Sequence, residues 1–228
     1  MNFNNQIFIL LRNKLICSLF AITLFSNMSF AQVKVSGVTV PAKLGFGGTV
    51  RELNGAGTRV KYMMHIYVGA LYLKEKSKDP KVIVNADKPM SVRLQIISAM
   101  LTNENMVRYI REGFYRSLDG KVAPFKDHLD LICEVFSSEP TKVGDVYDIH
   151  YTPGVGVSAS KNGKPFQFTK MRATGQVKNG DMKLLKQIKH TKDGYEAIPG
   201  LDFKKALFGI WLSDDPVDED LKDAMLGL

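Results

Sequence analysis

Between Gly57 and Lys74 the side chains separate by parity into two unlike rows. Val60, Tyr62, Met64, Ile66, Val68, Ala70 and Tyr72 at even positions are almost all apolar. Arg59, Lys61, Met63, His65, Tyr67, Gly69, Leu71 and Leu73 at odd positions begin polar and end apolar. Successive side chains of an extended chain point to opposite faces. The expected element is therefore one long strand that buries its even row and presents a cation and a phenol beside apolar surface on its odd row. Such a face suits a bound amphiphile. A half-solvated antiparallel strand carries the same pattern, and both readings stay open on parity alone.

The first 31 residues are expected to form a secretory signal peptide. Arg12 and Lys14 precede the apolar run from Leu15 to Phe25, and Ser29 and Ala31 are small residues at the positions a signal peptidase reads. The run is short for a membrane-spanning helix. Export to the periplasm is the corresponding expectation, leaving residues 32–228 as a single domain large enough for a hydrophobic core. Only Cys133 lies in that domain, so an internal disulfide is excluded. Its setting among Leu129, Ile132 and Phe136 points to a packed thiol.

Loss of Arg12 and Lys14 with the leader lowers the net charge from +8 to +6. Residues 161–196 hold nine Lys/Arg against three acids, which is the whole excess. The remainder of the domain is balanced. A local basic segment attracts anionic membrane or an acidic partner, or keeps a loop soluble. Without an aromatic platform or a recognition motif beside it, it argues against nucleic acid.

Further along, strands are expected near 92–97, 145–152 and 155–160, with Asn162-Gly163 turning the chain back through 164–169. Asn54-Gly55-Ala56-Gly57 reads as a turn. Val82-Ile83-Val84 reads as a short strand or part of a helix-ending loop. Thr102 or Asn103 caps a helix marked by Met106, Ile110, Phe114 and Leu118 and ended by Gly120; a second spans about 124–136. A third follows Pro199-Gly200 with Phe203, Leu207, Ile210 and Trp211 on one side, and Asp218 caps a short last helix ended by Gly227. Residues 181–190 fit a basic amphipathic helix and a hairpin equally. Strands, two helices, strands and two helices make an α+β domain with an antiparallel sheet and helices layered on one side.

Chemistry-bearing patterns are sparse. His65, His128, His150 and His190 are widely separated and lack H-E-x-x-H spacing, so no metal and no cofactor is expected. Ser158 and Ser160 sit in a small-residue strand rather than a G-x-S-x-G elbow. Asp214, Asp215, Asp218, Glu219 and Asp220 cluster where helices begin, which favours capping.

Asn54-Gly-Ala-Gly-Thr-Arg59, Ile66-Tyr-Val-Gly-Ala-Leu-Tyr-Leu73 and Ala206-Leu-Phe-Gly-Ile-Trp-Leu-Ser-Asp-Asp-Pro-Val217 with Asp220-Leu221-Lys222 together resemble the chalcone isomerase-like family, specifically its exported bacterial branch. The resemblance covers roughly residues 35–169 and 197–228. It implies an open-faced β-sandwich, a large antiparallel sheet with helices packed on one side and a cleft between the layers. Members that bind fatty acids hold the carboxylate with an arginine and a tyrosine, which fall on Arg59 and Tyr67. Their separation of eight puts both on one face of the expected strand.

Positions that carry polar catalytic groups in the plant isomerases fall instead near Asn105 and Glu112 and on Ile210-Trp211, and the strand threonine becomes Tyr67. Residues of about 170–196 form a basic insertion relative to the family.

These features set out a non-catalytic carrier or sensor of a small amphiphilic anion, with a fatty acid as first candidate. Arg59 and Tyr67 would hold the carboxylate, and Met63, Leu71, Ile110, Phe114, Ile210 and Trp211 would contact the tail. The rivals are a chalcone isomerase-like acid/base catalyst and an envelope structural or protein-interaction domain working through residues 170–196. Those residues are also the candidate contact with an anionic membrane.

Overall fold

The computed structural model describes residues 32–175 and 182–228. The expected leader over residues 1–31 and the centre of the basic insertion, 176–181, lie outside the described residues. Strands β3 (Lys43–Phe46), β4 (Thr49–Lys61), β5 (Met64–Leu73), β6 (Met90–Ile96), β7 (Val146–Thr152), β8 (Gly156–Lys161) and β9 (Lys164–Pro165) form one antiparallel sheet in chain order. A small hairpin, β1 (Val33–Val35) and β2 (Val38–Val40), precedes it. Helices α1 (Pro80–Asn85), α2 (Asn103–Ser117), α3 (Lys126–Ser137), α4 (Phe168–Ala173), α5 (Met182–Leu185), α6 (Leu201–Leu212) and α7 (Glu219–Leu226) complete the fold with a short hairpin, β10 (Lys189–His190) and β11 (Glu196–Ala197). This is the expected α+β architecture, a large antiparallel sheet with its helical layer on one side.

The expected single strand from Gly57 to Lys74 is instead a hairpin. Lys61 pairs with Met64, so Tyr62 and Met63 are the two loop residues, both left-handed with φ of 52° and 64°. Positive φ at both central positions makes a type I′ turn, whose twist matches the flanking strands. The turn carries no Asn or Gly, so parity runs through it without a break. A one-residue register shift follows between the Arg59–Tyr67 and Val60–His65 pairs, a β-bulge that re-aims the side chains beside it.

The buried faces also differ from expectation. Tyr67, Leu71 and Leu73 of the odd row belong to the main core under the helices. Val68, Ala70 and Tyr72 of the even row face the other way and form a second apolar cluster with Val38, Val40 and Leu53. Both rows are buried because the β1–β2 hairpin covers what a simple layered fold would leave to water.

Residues 54–57 are not a turn but the middle of β4. A Cβ on Gly55 would lie 2.1 Å from the Ala224 carbonyl oxygen, and one on Gly57 2.5 Å from the Ala224 Cβ. The glycines let α7 lie directly on the sheet, where close approach of two backbones leaves no space for a side chain. Asp218 caps that helix by accepting from the Leu221 amide at 3.0 Å, and Gly227 ends it in the left-handed conformation.

Val82-Ile83-Val84 lies in α1, whose start is fixed by Asp79 accepting from the Lys81 and Val82 amides at 2.9 and 3.1 Å. Thr102 caps α2 as expected. The described part of the insertion combines a helical turn, α5, with the β10–β11 hairpin. Met171, Leu184, Leu185 and Ile188 bury into the main core, so the segment extends that core while its lysines stay outside. No helix of the described residues is long and apolar enough to cross a membrane.

Candidate functional site

Between the sheet and the helical layer lies a recess of about 40 Å³. Arg59 and Tyr67 reach it from adjacent positions on β4 and β5, Leu94 and Ile149 from β6 and β7, and Leu101 from the loop before α2. Met106, Tyr109 and Ile110 enter from α2, Ile132 and Phe136 from α3, and Leu207, Ile210 and Trp211 from α6. The hairpin makes Arg59 and Tyr67 direct cross-strand partners, a tighter arrangement than the spacing along one strand that the sequence suggests.

Arg59 is 3% exposed. Its Nε has no hydrogen-bond partner, and no ion pair among the described residues includes it. It lies against aromatic rings instead, with Cζ 4.9 Å from the Tyr109 ring centre and 5.7 Å from that of Tyr67. Cation–π contact stabilises a guanidinium without using its directional donors. The Tyr67 hydroxyl oxygen accepts from Trp211 Nε1 at 2.9 Å. A phenol that accepts one bond still has its own proton to donate. The recess thus offers a guanidinium and a hydroxyl proton to one incoming acceptor, within otherwise apolar walls.

Other buried and half-buried cations are matched by acceptors of the same chain. Arg93 bonds both carboxylate oxygens of Asp148 at 2.7 and 2.9 Å. Burial alone would lower its pKa, yet these bonds outweigh it and hold the pKa above the ordinary value. Lys204 donates to the Ile83, Val84 and Ala86 carbonyls at 2.9, 2.6 and 2.9 Å, closing the end of α1; burial pulls its pKa down to about 8. Arg51 donates to the Phe46, Thr49 and Tyr151 carbonyls, and burial lowers its pKa to about 10.

Of the residues expected to form the pocket, Arg59, Tyr67, Ile110, Ile210 and Trp211 line the recess. Met63 does not: it is 96% exposed at the hairpin tip, because the turn directs it away from the sheet. Leu71 and Phe114 are fully buried in the core away from the recess, and Phe114 stacks toward Phe203 at 6.3 Å. Eight lining residues lie outside the expected set, and of these Tyr109 is the one whose ring touches Arg59. Counting α2 in strict fours from Met106 selects 110, 114 and 118, whereas a 3.6-residue period also carries Tyr109 and Gly113 onto the inner face.

Asn105 donates to the Met100 carbonyl at 2.8 Å at the exposed start of α2, and Glu112 is tied to Lys61 at 2.8 Å. Neither lines the recess. Burial pushes the Cys133 thiol up to about 12, as befits a packed rather than a reactive cysteine. No group of three His, Cys, Asp or Glu among the described residues is placed to hold a metal ion.

An antiparallel sheet with helices on one face and a lone cation and phenol in an apolar recess between the layers defines an open-faced sandwich with a candidate anion pocket. The chain belongs to the chalcone isomerase-like family, whose profile matches residues 32–172 and 167–227. Among solved structures it is similar to a fatty-acid binding protein of Arabidopsis thaliana, with a TM-score of 0.62 at 15% identity over 86% of this chain and 96% of that one. No curated protein matches the sequence.

Proposed function

We propose that the protein is a non-catalytic carrier or sensor of a small amphiphilic anion, with a fatty acid as the first candidate. The observation that carries this reading is Arg59, a buried guanidinium held by aromatic rings, whereas buried Arg51 donates through its terminal nitrogens to three carbonyls and half-buried Arg93 is held by a carboxylate. A carboxylate placed there would accept from Arg59 and from the Tyr67 hydroxyl, and charge-assisted bonds of this kind are the strong ones. The likeness to a fatty-acid binding protein supports the same ligand class. Walls of leucine, isoleucine and methionine suit an acyl tail, each buried methylene contributing about 0.8 kcal/mol before ordering costs.

The recess of about 40 Å³ is far below the roughly 150 Å³ that accommodates benzene, so a tail must displace side chains as it enters. Met106 on α2, unbranched and flexible, is the wall residue that gives way most readily. An isomerase would need further polar groups to position substrate and move a proton. Among the described residues the polar lining is Arg59, Tyr67, Tyr109 and a Trp211 indole already bonded to Tyr67, and that favours binding over turnover. Residence in the periplasm, and membership of an exported bacterial branch, are part of this proposal and rest on the sequence of residues 1–31.

The test is native mass spectrometry of protein purified from an exporting host, organic extraction of any bound molecule, and titration with laurate. Arg59→Ala is expected to lose the co-purifying amphiphile and to weaken laurate by about 10- to 100-fold, as removal of a charged hydrogen bond does. Equal laurate affinity in the two proteins, or no binding to either across a lipid panel, overturns the carrier reading. It would leave a cleft filled by its own side chains in a structural or interaction domain.

A further inference from the structure

We infer that Trp211 is the positioning residue that makes the recess select an ionised carboxylate over an uncharged lipid of the same length, by holding the Tyr67 hydroxyl as a donor; this deepens the carrier reading and rests on it. The indole Nε1 donates to the Tyr67 oxygen at 2.9 Å, and both side chains are buried. An indole N–H can only donate, whereas a phenol can donate or accept. With the indole proton on one side of its oxygen, the phenol turns its own proton to another, and no acceptor for that proton is found among the described residues. The bond settles a choice that a free hydroxyl leaves open.

The neighbouring groups push the same way. Arg59 is the only charged side chain lining the recess among the described residues, and a guanidinium has donors and no acceptor. Its Nε is buried without a partner. Tyr109 carries the one other hydroxyl of that lining, and no hydrogen bond joins it to Tyr67 among the described residues. A carboxylate brings a charge and acceptor oxygens alone, so it satisfies Arg59 and Tyr67 together. An alcohol brings no charge and has a proton of its own to place, which an apolar wall leaves unpaired at a cost. Selectivity therefore depends on which way the phenol faces, and Trp211 sets that direction.

The indole is held firmly enough for the task. Helix α6, which carries it, crosses α2 at close range: a Cβ on Gly209 would lie 2.1 Å from Ser117 Oγ, and one on Gly113 2.8 Å from Ile210 Cγ2. Ser117 also donates to the Ala206 carbonyl at 3.0 Å, tying the two helices together beside that crossing. Tyr67 in turn stands on β5, paired with Arg59 of β4 and Ile96 of β6. A donor on a packed helix and an acceptor within the sheet meet in fixed geometry.

Trp211 is the only tryptophan of the sequence, so replacing tryptophan throughout by benzothienylalanine removes one N–H and keeps the shape of the ring. Trp211→Phe is the encoded counterpart. Laurate and dodecanol are titrated calorimetrically against both proteins and the wild type, with thermal unfolding as the check on folding. The wild type is expected to bind laurate more tightly than the alcohol, and that preference should fall about 3- to 10-fold without the indole N–H, laurate weakening while dodecanol holds or gains. Lost packing alone would weaken both lipids together. In a Tyr67→Phe background, removing the N–H should leave the preference unchanged, because the effect passes through the phenol. An unchanged preference in protein that keeps Tyr67, or the same fall in the Tyr67→Phe background, overturns the role of Trp211 and leaves the carrier reading standing. No binding of either lipid to the wild type overturns the carrier reading and the selectivity with it.

Discussion

On the face of the sheet away from the helices, Arg93 is locked by two bonds to Asp148, and Ser91 bonds His150 at 2.8 Å beneath a stacked Phe46 ring at 3.8 Å. On the helix face Arg59 has no such acceptor and leans on two tyrosine rings. The two regions are built on the same sheet and take the same chemical group largely out of water, Arg59 buried and Arg93 half-buried. The difference teaches that burial of a cation is not itself a functional signal. On the function proposed above, what separates the two arginines is whether the chain supplies the counter-charge or leaves it to a ligand.

The comparison is broken most directly by matched truncations. Arg93→Leu strands buried Asp148 in the sheet and is expected to cost about 2–3 kcal/mol, somewhat below the range for a fully buried pair because the Arg93 side chain is 22% exposed. Arg59→Leu removes a charge with no partner to strand, so its stability should change by less than about 1 kcal/mol or rise. Urea unfolding of both variants decides it; equal losses would mean that Arg59 is held by its own chain after all.

Acid titration sharpens the same contrast. Burial, then the positive charges of Arg51 and Arg93, lower the His150 pKa from 6.5 to about 3. Above pH 6.5 the imidazole is neutral folded and unfolded, and it contributes no pH dependence. As pH falls below 6.5 the unfolded chain takes up a proton that the native state refuses, so stability drops by about 1.4 kcal/mol per pH unit until the native group also protonates near pH 3. His150→Gln should therefore show a shallower loss between pH 6 and pH 4, set by the remaining groups, roughly 2–3 kcal/mol less than wild type. Unfolding at fixed urea across that range is the measurement, and parallel curves would reject the assignment.

The smallest effect is expected at Tyr67→Phe. Trp211 Nε1 loses its acceptor, which costs about 1 kcal/mol in stability, and a bound carboxylate loses a neutral donor, which weakens laurate by about 3- to 10-fold. Isothermal titration of the Tyr67→Phe variant against wild type checks it; unchanged affinity would remove the hydroxyl from the site and leave Arg59 alone.

Much of the scaffold was legible because it depends on short-range rules. The stripe Met106, Ile110 and Phe114, the Thr102 and Asp218 caps, and the Asn162-Gly163 turn each report a local geometry that one stretch of chain satisfies by itself. The hairpin at Tyr62-Met63 was not legible, since neither residue is a turn former and the alternation continues through it. Arg59 and Tyr67 could be singled out through family likeness, but their pairing across two strands, the place of Tyr109 and the exposure of Met63 could not.

By itself the sequence determined the class of fold and the caps of α2 and α7, since periodicity and capping act within a few positions of one another, while Arg59 and Tyr67 were singled out by resemblance to the family. Tertiary structure alone decided which face of β5 meets the helices, because the β1–β2 hairpin buries the opposite row and removes the water that parity assumes. It also decided that Arg59 ends among rings while Arg93 ends on a carboxylate. Two arginines with the same intrinsic chemistry differ in surroundings through the long-range pairing of strands, and that pairing is a property of the folded chain as a whole.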